Sequence, residues 1–138
     1  MVDSSFTERE GVPSAEQSYR GAPDVLSEAA ALSRLAEFML VEAKISALRE
    51  ETAETDFPQE RLYLLRRAAL SDRLALEYPE VEQFVVEALK TADRLVEFDR
   101  ARGSHRGPAE PGARIWANYH RGYVRQEYFY REKIDKIK

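Results

Sequence analysis

The chain contains no cysteine, and that absence removes several chemistries at once. Disulfide staples, thiolate nucleophiles and cysteine-ligated zinc all need a thiol that is not there. Histidine is nearly as scarce, with only His105 and His120. Dinuclear metal bundles use Glu-x-x-His to put two ligands on one helical face. Arg102 and Ala117 stand three residues before the two histidines, so neither fits. His120 and Glu127 lie seven apart, about 10 Å of helical rise, too far for an easily shared ion. The expectation is therefore no metal and no cofactor. G-x-S-x-G, P-loop and G-x-G-x-x-G motifs are also missing, which argues against a nucleophile elbow and the common nucleotide sites. No uncharged apolar run is longer than FMLV at 38–41, so no segment reads as a membrane span. The opening MVDSSFTEREGVPS lacks the basic start and apolar stretch of a secretory signal. A cytoplasmic location is then the default expectation.

What is present points to a helical globule. Over 138 residues, 43% hydrophobic and 33% charged content suits one soluble domain with a real core and is too apolar for a disordered chain. Sixteen arginines against five lysines, with abundant alanine, suggest a high-GC bacterial source. The net charge of −4 is unevenly spread: residues 1–24 carry −3, residues 25–112 carry −5 and residues 113–138 carry +4. A basic end on an acidic body can hold an anionic partner or fold back onto its own acids. The second needs no other molecule and is the favoured expectation.

Residues 1–23, rich in Ser, Glu, Gly and Pro, read as a flexible arm. A helical domain then spans 24–138. Its first helix is expected over about 25–53, with Asp24 or Ser27 as its cap. That helix carries two apolar stripes at spacings of three and four. One is Leu32, Leu35, Ala36, Met39 and Ala43, continued by Ser46; the other is Phe38, Val41, Ile45 and Leu48. Thr55 or Asp56 and then Pro58 open a second helix over about 58–77. It too has two stripes: Leu62, Leu65, Ala69 and Leu76, then Tyr63, Leu70 and Leu74. Pro79 ends it, because proline lacks the N–H and clashes one turn back. A third helix over about 80–102 turns Phe84, Ala88, Ala92, Leu95 and Val96 inward and stops at Gly103. GSHRGPAEPG at 103–112 reads as a linker that leaves the last helix, about 113–136, free to choose where it docks. No β-type alternation appears. The expected fold is all-α, a four-helix bundle-like domain with a disordered N-terminal arm.

The last helix holds the residues with most chemistry. Ile115, Trp116, Tyr119, Tyr123 and Tyr130 fall on one side at 100° per residue, a stripe suited to a core, an interface or a ligand-stacking pocket. Trp116, Tyr119, Tyr123 and Tyr130 are the candidate ligand-binding residues. Arg114, Arg121 and Arg125 occupy the opposite side with Tyr128 and Phe129 beside them, a candidate interaction face. Glu127, close to the aromatic stripe, is a weak candidate acid or base with His120, since desolvation among rings raises a carboxyl pKa. A helix-turn-helix around Tyr78–Pro79 is disfavoured: its reading helix would begin PEVEQFVVE, whose acids repel phosphate. Nucleic acid is thus an unexpected partner, reachable only weakly through the basic face.

A bundle helix ordinarily buries one stripe, yet the first two helices carry two each. Surplus apolar surface implies a partner, most economically a second copy related by a two-fold axis. The expected function is a helical protein–protein interaction or regulatory module, homodimeric or docked on another protein. The alternatives are a small-molecule or metal-free catalytic bundle near Trp116, Tyr119 and Tyr123, and weak nucleic-acid binding.

Overall fold

The computed structural model describes residues 12–49 and 57–137. Among the described residues five helices follow one another: α1 (Ala15–Tyr19), α2 (Val25–Leu48), α3 (Phe57–Glu77), α4 (Glu82–Arg102) and α5 (His120–Ile137). A single 3-10 turn, Arg114–Trp116, precedes α5, and no strand occurs among the described residues. The fold is all-α and bundle-like.

Local chemistry sets most of the boundaries. Asp24 caps α2 by accepting the Ser27 backbone N–H at 2.9 Å. The Ser27 bonds hold its carboxyl below the ordinary range. α2 ends at Leu48, short of the expected 53, and residues 50–56 lie outside the described residues. α3 and α4 meet at a corner through Tyr78–Glu80, where Pro79 blocks a continuous helix. α4 closes on Gly103, whose φ of 60° is the left-handed turn that glycine enters without a Cβ penalty.

α3 is the central strut. It packs on α2, α4 and α5, while α1 lies against α5. Leu65, Ala68 and Ala69 of α3 meet Ala92, Leu95 and Val96 of α4, and Trp116, Tyr123, Val124 and Tyr128 close the core from the C-terminal segment. Alanines where α3 meets α4 let the backbones approach closely, and the large rings fill the space that remains. Burying a Leu or Val fully is worth about 1.5–3 kcal/mol, so this cluster holds the body together.

Three expectations are corrected. The N-terminal arm is not loose throughout. Residues 1–11 lie outside the described residues, but Ser14 caps α1 through a reciprocal capping box with Gln17. The Ser18 hydroxyl then donates to the Arg125 carbonyl at 2.9 Å, seating α1 on α5. The last helix does not run unbroken from 113. Asn118 takes a φ of 59°, a conformation that asparagine tolerates better than most residues, and the helix restarts at His120. Two residues on, Gly122 lies directly under the Tyr119 ring, where any Cβ would collide. The segment 103–112 is not a free linker either. Backbone N–H groups of Arg106 and Gly107 donate to Glu127, and Gln126 brackets Ala109 with bonds to its N–H and carbonyl. α5 is thereby fixed in place by the loop that was expected to liberate it.

Candidate functional site

Two kinds of place could hold function here: a buried ionic interior and an uncovered helix end. The interior comes first because it contains the most polar chemistry. Asp99 of α4 is wholly buried and accepts four bonds. Arg61 Nε and Nη2 each donate at 2.8 Å, the Tyr123 hydroxyl at 2.6 Å and the Ser104 hydroxyl at 2.7 Å. Glu127 of α5 is equally buried. Its Oε1 accepts from Arg61 Nη2 at 2.8 Å and Arg106 N at 2.6 Å; its Oε2 accepts from Gly107 N and Gln126 Nε2, both at 2.8 Å. Arg61 thus ties α3 to both α4 and α5.

A second node surrounds Asp72 of α3. Tyr19 OH donates at 2.6 Å, Arg121 Nε at 2.6 Å, and Arg125 Nε and Nη2 at 2.8 and 3.0 Å. A third joins Glu28 of α2 to Arg66 of α3 through two bonds of 2.6 and 2.9 Å.

These partners set the protonation states. Burial pushes Asp99 upward, but the Arg61 and Tyr123 bonds more than offset it and leave the carboxyl below its ordinary value. Asp72 behaves alike, with burial overcome first by Arg125 and then by Tyr19 and Arg121. The Tyr123 hydroxyl is pushed well up, by burial first and then by the neighbouring carboxylates Glu127 and Asp99. Tyr19 moves the same way, through burial and Asp72. Every one of these groups is fixed in a single state near neutrality, and each carboxylate oxygen is already engaged. Such a network joins helices; it does not shuttle protons.

Against that background the sequence-derived candidates fall as follows. Glu127 is sealed in the network, and His120 sits at the surface with its Nδ1 2.6 Å from Asp93 Oδ1, so the structure does not bring the two into one site. Trp116 and Tyr123 are buried and pack edge to face at 5.6 Å between centroids. Tyr119 lies tilted at 6.4 Å from Trp116, half-buried, and Tyr130 instead stacks edge-on with Phe129 at 5.2 Å. The Trp116 indole N–H has no hydrogen-bond acceptor among the described residues. Of the expected basic face, Arg121 and Arg125 turn inward to Asp72, and Tyr128 is buried against Tyr19 at 5.4 Å. Arg114 is exposed, on the 3-10 turn and away from that cluster. Two bases of the basic end, Arg121 and Arg125, thus pair with an acid of the body.

Arg61, Asp72 and Asp99 escaped the sequence reading. A signal existed: each stands where an apolar stripe continues. Arg61, Leu65, Ala68, Ala69 and Asp72 share one face of α3, and Ala88, Ala92, Leu95 and Asp99 share one face of α4.

The uncovered place is the far half of α2. Its first stripe faces the body along the near half, with Leu32 buried and Leu35, Ala36 and Met39 half-buried; farther along, Ala43 is exposed and Ser46 half-buried. The second faces out: Phe38 is 50% exposed, Val41 53%, Ile45 41% and Leu48 85%. From Glu37 to Leu48 only Met39 and Ser46 are less than exposed. α3, which also carries two stripes, has most of both covered by its neighbours. A groove of roughly 610 Å³ runs beside the near half of α2, floored by Leu32, Ala36, Leu70, Leu74 and Phe84. Glu87, itself bonded to Arg67 at 3.0 Å, stands on the α4 side of this groove.

No group of acids and histidines placed to hold a metal occurs among the described residues, and no described helix is long and apolar enough to cross a membrane. No protein-family model matches the chain, nor does any curated protein or solved structure.

Proposed function

We propose that the chain is a helical protein–protein interaction module that assembles as a homodimer through the far half of α2. One observation carries this reading: four large apolar side chains at spacings of three, four and three stand open on a helix whose other apolar stripe faces the body through Leu32, Leu35, Ala36 and Met39. A helix that is apolar on two sides is ordinarily enclosed on two sides. Contiguous exposed apolar surface of this kind marks an association site in a folded protein. The opposing readings draw less support. A pocket at Trp116 and Tyr123 competes with their mutual packing and with the Tyr123–Asp99 bond. Nucleic-acid binding would compete with Asp72 for Arg121 and Arg125.

The test is a pair of charges in the stripe. Light scattering of the unaltered chain should give twice the 15.9 kDa chain mass at tens of micromolar. Val41→Glu with Ile45→Glu should give the single-chain mass with unchanged helicity. A monomeric unaltered chain at that concentration ends the proposal.

A further inference from the structure

The groove beside the near half of α2 has the size and lining of a small-molecule site. We propose that it binds a small amphipathic amine, whose apolar body lies on the floor and whose protonated head meets the acidic banks. The groove and the exposed stripe of α2 share no residue, so this site and the homodimer can fail independently.

Roughly 610 Å³ falls within the span of about 300–1,000 Å³ that small-molecule sites occupy. Leu32, Ala36, Leu70, Leu74 and Phe84 supply an apolar floor, and Ser71 lies among them. Ser71 is only 6% exposed. A buried hydroxyl on a helix commonly bonds back to a carbonyl one turn earlier, as Thr91 does to the Glu87 carbonyl at 2.8 Å. The Ser71 hydroxyl makes no such bond, nor any other among the described residues. Nearly all buried polar groups are paired, so a hydroxyl left open to a groove takes its bond from whatever fills that groove. The occupant therefore carries a polar atom as well as an apolar body.

The banks decide the charge of that polar atom. Among the lining residues Arg67 is the one cation, and its two terminal nitrogens already serve the Tyr63 hydroxyl at 3.2 Å and Glu87 at 3.0 Å. Glu37, on the α2 bank, is exposed and forms no ion pair among the described residues. One spoken-for cation against two carboxylates leaves negative charge in excess. The open capacity is for donors: the Glu37 carboxylate, the Glu87 oxygen not bonded to Arg67 and the Ser71 Oγ can all accept. A carboxylate or phosphate head would meet Glu37 with nothing to offset it. Two rings strengthen the match. Tyr63 and Phe84 line the same groove, Phe84 held edge-on by Tyr78 at 5.9 Å between centroids, and an ammonium is drawn to an aromatic face.

Phenethylamine, phenylacetate and phenethyl alcohol share one apolar body and differ in the charge of the head, so together they test the site. Titrated into the isotope-labelled full chain and followed by amide NMR shifts, the amine should bind saturably and move the signals of Ala36, Ser71 and Glu87. It should bind about ten-fold more tightly than the carboxylate. Glu37→Gln, at an exposed side chain, should weaken the amine about five-fold and leave the alcohol unchanged. Ala36→Phe, which fills the floor, should abolish binding of all three in a chain of unaltered helicity. Equal affinity for amine and alcohol, or a preference for the carboxylate, would overturn the amine. No saturable binding by any of the three, or shifts confined to other parts of the chain, would overturn the site itself. Light scattering decides the homodimer separately, whichever result is found.

Discussion

The body of the molecule and the far half of α2 treat their awkward groups in opposite ways. In the body, charge is buried and nearly every charged atom has a partner: Asp72, Asp99 and Glu127 are sealed from water with Arg125, Arg121 and Arg61. In the far half of α2, grease is exposed: Phe38, Leu40, Val41, Ile45 and Leu48 stand in water with no covering element among the described residues. A chain able to satisfy three buried carboxylates is not short of packing solutions. On the proposed reading the open end of α2 is a surface for association, while the ionic interior fixes the scaffold that carries it.

Breaking the body should cost most. Arg61→Met leaves Asp99 and Glu127 facing each other without their shared cation. Removing one partner of a buried ionic set costs about 3–5 kcal/mol, which urea denaturation would resolve. A variant within 1 kcal/mol of the unaltered chain would mean the network contributes little. Gly107→Ala comes next. Its Cβ would run into the Gln126 side chain, so the loop or the glutamine must shift, at about 1–3 kcal/mol by the same measurement.

Acid should separate the two regions more gently. Asp72 and Asp99 have native pKa values held below the ordinary aspartate value of about 3.9. Below that value the unfolded chain binds more protons than the folded one, so stability falls as pH falls. The contribution is complete above about pH 4 and is lost as the pH drops through the depressed native values. Thermal melts from pH 6 downward should therefore hold steady until about pH 4 and then decline. A flat profile to pH 2 would say these carboxylates gain nothing on folding. The smallest effect belongs to the exposed stripe. Ile45→Ser should change the stability of a dilute, monomeric sample by no more than about 0.5 kcal/mol while weakening dimerisation several-fold.

Much of this contrast was legible in the residues alone. Helix boundaries followed from local rules: Asp24 as cap, Pro79 as break and Gly103 as stop act within a turn of the backbone. The two stripes of α2 were legible because periodicity is local as well. Which stripe would be covered was not, since that depends on how far α3 reaches along α2. The basic face of the last helix was misplaced for a related reason. Arg121 and Arg125 are separated from Asp72 by 49 and 53 residues, and no local pattern announces such a partner. The kink at Asn118 depended on the Trp116 ring entering the core, and the fixed 103–112 loop depended on Glu127. Interior acids that interrupt an apolar stripe, as Asp99 does after Leu95, were the unused clue.

Amide hydrogen exchange followed over a dilution series tests the central claim most directly, because it reads both regions in one sample. Protection of residues 38–48 should rise with protein concentration through the dimerisation midpoint, while protection of α3 and α4 stays constant. Exchange at 38–48 that is fast and indifferent to concentration up to hundreds of micromolar would contradict the account.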